Sequence, residues 1–199
     1  MKVKPIILCL LIAGSFSASA QQTANSMLFN AHVGGLLPQT KTVELTDGSL
    51  PGGTLQTGYD FGLSLQFLHS ERISTRWGYT WTYQDVEFGG VSSTGKSALT
   101  SYHRNSSVIS GQALIHVANG IGKTWYLIAG VVAQQRKTEA KAGSWLVNGH
   151  LINDTMNKTG AQLGTGVSFN FGKWRLSPEV IYQQVGKEGS ILARVNVGR

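Results

Sequence analysis

Arg76-Trp77-Gly78-Tyr79-Thr80-Trp81-Thr82-Tyr83-Gln84 alternates large aromatic side chains with polar or small ones without interruption. A period of two is the period of a β-strand, because successive side chains point to opposite faces of a sheet. One face of this stretch carries only Trp and Tyr, and the other carries only polar residues and glycine. The stretch therefore predicts a strand between an apolar and a polar environment.

The same alternation recurs along the chain from Gln21 onward. It gives eight strand candidates, at about 26–36, 56–69, 73–88, 106–118, 124–138, 159–171, 173–185 and 190–198. Each candidate matches or slightly exceeds the roughly 9–11 residues that a tilted strand needs to cross a bilayer.

Short and long connections alternate between these candidates. The tight ones fall at 70–74, 119–124 and 171–173, the long ones around 37–55, 89–105 and 139–158, and the final link, 186–189, is short. Short periplasmic turns and longer external loops are typical of outer-membrane barrels. The sequence therefore predicts an all-β fold, an eight-stranded antiparallel transmembrane β-barrel built as an up-and-down meander.

Composition agrees with a membrane barrel. Charged residues make up 14% of the chain, against about 25% in average soluble domains. No stretch approaches the roughly 18 continuous apolar residues of a helical membrane span. The net charge is +7, or +5 without Lys2 and Lys4. Nucleic acid is not an expected partner for a secreted membrane barrel.

Residues 1–20 have the features of a secretory signal peptide. Lys2 and Lys4 precede an apolar core at 5–14, and Ala18 and Ala20 offer small residues for cleavage before Gln21. The alternative is a retained membrane anchor. Cys9, the only cysteine, lies in this segment, so no thiol chemistry is expected elsewhere. The barrel domain is then 21–199, and the expected location is the outer membrane of a Gram-negative cell.

Aromatic residues cluster at the expected membrane boundaries. Trp77, Trp125 and Trp174 each open a strand after a tight turn, which predicts a periplasmic aromatic girdle. The outer girdle is predicted from Tyr59, Tyr83, Phe88 and Tyr182. The alternative is that these rings fill the core of a soluble sandwich, which would use Lys and Glu more freely on its outer faces.

The polar faces of the strands predict a closed interior network. An eight-stranded barrel is only wide enough for its own side chains. Buried charges are expensive unless paired, so ion pairs and hydrogen bonds are expected there. The predicted lumen network comprises Asp60, Arg76, Gln112, His116, Arg175, Glu179 and Arg194. The alternative is a through-pore for small ions or solutes.

No motif in the chain predicts catalysis, a metal site or a cofactor. His116-Val117-Ala118-Asn119-Gly120-Ile121 has the spacing of the His-x-Ser-Asn-Ala-Gly signature of lipid A deacylases. Ala118 stands at the nucleophile position, so the match is taken as coincidence. The five histidines are scattered without ligand spacing. A lipid A-modifying enzyme is the least favoured function.

The predicted external loops carry the candidate binding features. Asn148-Gly149 predicts a hairpin turn, flanked by the apolar residues Trp145, Leu146, Val147, Leu151 and Ile152. This hairpin either projects as a partner surface or folds back over the barrel mouth. The basic loop residues are Lys41, Lys96, Arg104, Lys137, Lys141 and Lys158. They either pair with lipopolysaccharide phosphates or acidic glycans, or form a solvated surface.

Four segments resemble a known family. They are Gly62-Leu63-Ser64-Leu65-Gln66-Phe67 with Ser70-Glu71-Arg72-Ile73-Ser74, Trp77-Gly78-Tyr79-Thr80-Trp81-Thr82-Tyr83-Gln84, Gly122-Lys123-Thr124-Trp125-Tyr126-Leu127-Ile128-Ala129-Gly130, and Gly164-Thr165-Gly166-Val167-Ser168-Phe169-Asn170-Phe171-Gly172-Lys173. Together they resemble the Bacteroidota outer-membrane β-barrel domain family, the PorT-like proteins. One departure is the ending Val197-Gly198-Arg199, where such barrels commonly end in an aromatic residue.

The resemblance implies a small outer-membrane barrel and no general activity. The function expected is therefore a structural or loop-mediated binding role at the cell surface, with membrane lipid, lipopolysaccharide and an external protein as candidate partners. The alternative is an accessory barrel of a secretion machine, as some relatives are, or a narrow channel.

Overall fold

The computed structural model describes residues 26–40, 43–45, 48–50, 53–91, 97–120, 123–140 and 153–199. In chain order its strands are β1 (Met27–Pro38), β2 (Val43–Leu45), β3 (Gly48–Leu50), β4 (Gly53–Leu55), β5 (Gly58–Leu68), β6 (Ile73–Val91), β7 (Ser97–Gly120), β8 (Lys123–Ala140), β9 (Asn153–Phe171), β10 (Trp174–Val185) and β11 (Glu188–Gly198). No helix among these residues is long and apolar enough to cross a membrane.

Eight of the strands close into a barrel. β1 and β5 to β11 pair antiparallel with their neighbours in sequence, and β1 also pairs with β11 to close the ring. Val33 shows the closure, because its partners are Val195 of β11 on one side and Phe61 of β5 on the other. The predicted closed, eight-stranded antiparallel meander is confirmed.

Two-residue turns join β9 to β10 and β10 to β11. Each begins with a glycine in the left-handed region, Gly172 at φ 61° and Gly186 at φ 59°. No atom lies within 4 Å of where a Cβ on Gly172 would stand, so backbone conformation rather than space requires glycine there. The barrel end that carries Gly172 and the 69–72 turn is called the turn end. The opposite end, which carries Gly186, is called the loop end.

The outer surface of the barrel is apolar. Buried and exposed side chains alternate along each strand, as in β10, so every second residue points outward. Large apolar residues are the exposed ones, with Val131 67%, Val33 64% and Leu163 63% exposed. A continuous exposed apolar belt is unfavourable in water and is typical of the lipid-facing surface of membrane barrels.

Four strands continue beyond the apolar belt at the loop end. On β8, outward Val131 and Ala133 are followed by outward Gln135 and Lys137. Pairing nevertheless continues to Val91↔Ser97 between β6 and β7 and to Glu139↔Asn153 between β8 and β9. These extensions of β6 to β9 (residues 85–91, 97–105, 135–140 and 153–159) are called the external wall. The barrel is therefore tall on one side and short at β10 and β11.

The wall corrects several predicted boundaries. The predicted long connection 89–105 is mostly strand, since β7 begins at Ser97, and the predicted loop 139–158 includes the start of β9 at Asn153. Apolar alternation ends where the outward face changes from apolar to polar residues, whereas backbone pairing continues. A prediction based on hydrophobic periodicity therefore detects only the part of each strand that lies within the apolar belt.

The short strands β2, β3 and β4 lie within the first long connection, and described side chains of β2 and β4 are buried at the loop-end mouth. β2 pairs with β3, and β4 pairs with β6. Buried Val43, Leu55, Val86, Phe88 and Tyr102 form one apolar cluster, in which the rings of Phe88 and Tyr102 meet edge to face at 5.4 Å. The assignment of Phe88 to the outer girdle is therefore wrong. Its position on β6 shares the inward parity of Gln84 and Val86, so it lies inside the mouth.

Candidate functional site

An ion pair crosses the middle of the barrel. Arg76 Nη1 and Nη2 donate to Glu179 Oε1 and Oε2 at 2.6 and 2.9 Å, and the two side chains are 5% and 0% exposed. β6, which carries Arg76, and β10, which carries Glu179, lie four strands apart in both directions around the ring. The pair therefore spans the full width of the lumen, in the bidentate geometry that makes Arg–carboxylate contacts strong.

Hydrogen bonds extend this pair into a network. Arg76 Nε donates to Gln112 at 2.7 Å, Gln112 donates to Gln162 at 2.5 Å, and Gln162 donates to Gln183 at 2.6 Å. Tyr126 Oη donates to Glu179 Oε1 at 2.7 Å. Side chains from β6, β7, β8, β9 and β10 are thus joined in one layer that crosses the lumen.

A glycine makes room for Tyr126 in this layer. A Cβ on Gly166 would stand 2.6 Å from Tyr126 Oη and 2.9 Å from Glu179 Cγ. Such distances are below ordinary contact, so a side chain at 166 would displace the tyrosine from the carboxylate. Gly166 is therefore required by space, and its backbone needs no special conformation.

A second cluster surrounds Asp60 on the side of β1, β5 and β11. Asp60 Oδ2 lies 3.3 Å from Arg194 Nε and 3.6 Å from His32 Nε2. The Asp60 carboxylate is fully buried, and these contacts are charge contacts without hydrogen-bond geometry. His32 Nε2 also lies 3.1 Å from Thr80 Oγ1.

A third cluster lies toward the loop end. Glu188 Oε2 is 2.8 Å from Arg104 Nη1 and 3.0 Å from Arg136 Nη1, and all three side chains are at most 5% exposed. The prediction that Arg104 is an external loop cation is wrong, because Arg104 points into the lumen from β7. Lys137, also predicted in a loop, lies on the outward face of β8, 2.6 Å from Glu139.

The fourth cluster lies toward the turn end. Arg175 Nε donates to Ser168 Oγ at 2.9 Å, and Ser168 Oγ is 2.8 Å from Ser177 Oγ. His116 Nε2 lies 3.1 Å from Ser74 Oγ. This Ser–His contact is buried, and His116 Nδ1 has no hydrogen-bond partner among the described residues. It lacks the orienting carboxylate on which an activated serine depends.

The structure places all seven residues of the predicted lumen network inside the barrel, each at most 9% exposed. Sequence reasoning missed Tyr126, Arg104, Arg136 and Glu188. The β8 segment around Tyr126 is apolar on both faces, which hides its inward parity. Glu188 falls within the predicted final turn, although β11 already begins there. Parity counted back along β11 from Arg194 would have placed Glu188 inward.

The three tryptophans point outward near the turn end. Trp77, Trp125 and Trp174 are 60%, 50% and 45% exposed, and each lies within the first five residues of its strand. Tyr59 and Tyr182 are also exposed, toward the loop end. The apolar hairpin predicted at Trp145, Leu146, Val147, Leu151 and Ile152 lies outside the described residues. Among the described residues, no three His, Cys, Asp or Glu side chains form a group that could hold a metal ion.

A closed eight-stranded barrel with an apolar outside and a polar inside is the architecture of small outer-membrane β-barrels. Solved structures of this architecture are similar to the chain. The outer membrane protein OprG from Pseudomonas aeruginosa has a TM-score of 0.61 at 8% identity, covering 88% of this chain and 96% of that one. Neisserial surface protein A has a TM-score of 0.54 at 14% identity, covering 88% and 98%.

The N-terminal β-barrel domain of Pseudomonas aeruginosa OprF is also similar, with a TM-score of 0.52 at 15% identity over 88% of this chain and 98% of that one. At these identities the likeness establishes the fold alone. No protein-family model and no curated protein matches the sequence. The resemblance to the Bacteroidota family therefore stays a prediction.

Proposed function

We propose that this chain is a small outer-membrane barrel of a Gram-negative cell that binds a partner outside the membrane through its external wall. The observation that carries the proposal is the change of the outward face from apolar to polar while β6 to β9 stay paired. Strands that continue above a lipid-facing belt form a rigid surface in water. The signal peptide predicted at 1–20 and the aromatic girdles predicted at the two boundaries support this location.

The outer face of the wall offers polar groups to a partner. His103 Nδ1 lies 2.8 Å from Asp85 Oδ1 and also contacts Tyr83 Oη, and His103 and Asp85 are 38% and 36% exposed. Lys137 and Glu139 are more exposed, at 53% and 43%. A mixed, rigid polar surface of this kind favours a protein or a polar lipid headgroup such as that of lipopolysaccharide. The apolar belt below it would contact lipid acyl chains.

Site-specific photo-crosslinking tests this binding role. A photoreactive amino acid at Lys137 or Gln135 of the wall should give a discrete adduct in intact cells, with a protein or with lipopolysaccharide. The matched control is Val131, two positions below Ala133 on the same outward face of β8, where only membrane lipid should be captured. Identical adducts at Val131 and Lys137, or no adduct at any wall position, would contradict the proposal. If the crosslinked protein is a component of a secretion machine, the chain is an accessory barrel of that machine.

A narrow channel is the second candidate, because the lumen is lined by charged and amide side chains. The Arg76–Glu179 pair and its glutamine partners oppose this function, since they span the lumen from β6 to β10. Purified protein in planar bilayers should therefore show no regular conductance steps. Reproducible conductance steps of one size from the unmodified protein would contradict the binding proposal and indicate a channel.

A further inference from the structure

In the described part of the lumen, buried guanidinium groups outnumber buried carboxylates. Among the described residues the buried arginines are Arg76, Arg104, Arg136, Arg175 and Arg194, and the buried carboxylates are Asp60, Glu179 and Glu188. Glu179 pairs with Arg76, Asp60 with Arg194, and Glu188 with Arg104 and Arg136. Each buried carboxylate among the described residues thus already pairs with another arginine. Arg175 lies within electrostatic reach of Glu179, but no carboxylate of the described residues stands within ion-pair distance of it.

Arg175 is nevertheless almost fully enclosed. Arg175 is only 6% exposed. Its guanidinium makes one hydrogen bond to a described residue, from Nε to Ser168 Oγ at 2.9 Å. The Nη1 atom is buried and has no partner among the described residues. A buried charge without an ion-pair partner is costly, so a bound anion beside this guanidinium would stabilise the folded barrel.

Asn30 provides a second donor without a described partner, at the same height in the barrel as Arg175. Gly198 of β11 pairs with Arg175 of β10 on one side and with Asn30 of β1 on the other. Because Gly198 has no side chain, the Asn30 amide leans over it, and Asn30 Oδ1 fills the space that a Cβ would take. Asn30 is 3% exposed, and its Nδ2 has no described partner.

The third donor comes from His116 on the opposite side. Ser74 Oγ accepts a hydrogen bond from Gln66 Nε2 at 2.9 Å, so the Ser74 proton is available to His116 Nε2, 3.1 Å away. That arrangement favours the imidazole form with its proton on Nδ1. This buried Nδ1 has no described partner, and His116 lies within electrostatic reach of Arg175.

We propose that the turn end of the lumen binds a small inorganic anion at Arg175, with Asn30 and His116 as further donors. The three unpartnered groups all donate, none of them belongs to the cross-lumen network, and one carries a full positive charge. Chloride and sulfate are the probes of matching chemistry, because a small anion can accept several N–H donors at once. The anion would offset the burial of Arg175 and hold β1, β7 and β10 together at this end. The site is independent of the external wall.

Anion titration of the folded barrel in detergent micelles tests the site. Ionic strength is held constant with gluconate while chloride or sulfate is increased, and thermal unfolding is followed by tryptophan fluorescence. The unfolding midpoint of the unmodified protein should rise and saturate. Arg175→Gln should raise the apparent dissociation constant about tenfold or more, as expected for loss of a hydrogen bond to a charged group, and Asn30→Ala should raise it less.

Arg72→Gln provides the matched control, because Arg72 is an exposed arginine in the 69–72 turn at the same end. It should titrate like the unmodified protein. If Arg175→Gln does not fold, chloride-35 NMR on the unmodified protein and on Asn30→Ala gives a second measurement, in which sulfate should reverse the chloride line broadening. A midpoint that does not respond to either anion in the unmodified protein, or an unchanged response in Arg175→Gln, overturns the proposal.

Discussion

Glu179 and Arg76 hold opposite walls of the barrel together at a single fully buried contact. Removing one member of a buried pair leaves the other charge without compensation, which typically costs about 3–5 kcal/mol. We therefore expect Glu179→Gln to lower the free energy of unfolding by roughly that amount. The measurement is urea unfolding of the barrel in lipid vesicles, with the exposed turn residue Glu71 changed to Gln as the control.

The same pair gives a sharper result in a double-mutant cycle. Arg76→Gln combined with Glu179→Gln should cost clearly less than the two single changes added together, because the double variant leaves no unpaired charge. Additive losses would show that the pair is not coupled. A change below about 0.5 kcal/mol for Glu179→Gln alone would show that water already compensates the charge.

Gly166 makes a steric prediction at the same layer. Gly166→Ala places a Cβ 2.6 Å from Tyr126 Oη and should destabilise the barrel by about 1–3 kcal/mol, the usual cost of overpacking. Gly35→Ala is the matched control, because the nearest atom to its Cβ is 4.0 Å away. The Gly166 penalty should shrink when Tyr126 is also changed to Leu, because Leu lacks the Oη and Cζ atoms that would stand 2.6 and 2.7 Å from the new Cβ. Equal effects at Gly166 and Gly35 would exclude the steric explanation.

Sequence patterns predict at the residue scale which way a side chain points, but not what it contacts. Alternation along β6 and β10 predicts Arg76 and Glu179 as inward residues. It cannot predict that they meet, because that depends on the stagger of strands on opposite sides of the ring. Arg104 shows the other limit. It sits in a polar stretch without apolar alternation, so its inward parity on β7 is hidden.

At the scale of elements, hydrophobic alternation predicts the membrane-crossing part of each strand and misses the external wall. β7 is the clearest case, since the strand predicted at 106–118 extends from Ser97 to Gly120. The mostly polar residues 97–105 carry no periodic signal, and this segment is kept extended by its pairing with β6, joined from Tyr102 onward by pairing with β8. The small strands β2, β3 and β4 were equally hidden within a predicted loop.

β8 offers a direct measure of where the membrane ends. Cys9 is the only cysteine in the sequence, so single cysteines can be placed on the outward positions of β8. Val131→Cys and Ala133→Cys should resist a membrane-impermeant maleimide in intact cells, whereas Gln135→Cys and Lys137→Cys should react at least about tenfold faster, given the exclusion of water from the lipid core. Uniform reactivity along β8 would contradict the proposed boundary.

At the scale of the whole molecule, the distribution of polar groups is inverted relative to a soluble protein. Buried arginines and carboxylates lie inside, and large apolar side chains such as Val131 and Leu163 lie outside. In water this arrangement would expose an apolar belt, whereas in a bilayer each group meets a matching environment. Within the apolar belt the closed ring also gives each barrel strand a hydrogen-bonded neighbour on both sides, as a bilayer requires. The central claim is therefore that lipid is the solvent of the outer surface.

Heat-modifiability after refolding tests that claim most directly. Residues 21–199, unfolded in urea and diluted into lipid vesicles, should regain a compact species that migrates faster on SDS gels when unheated and shifts to its full apparent size after boiling. Dilution into buffer without lipid or detergent should yield aggregate instead. A stable, water-soluble monomer in plain buffer, with one mobility before and after boiling, would contradict the membrane barrel.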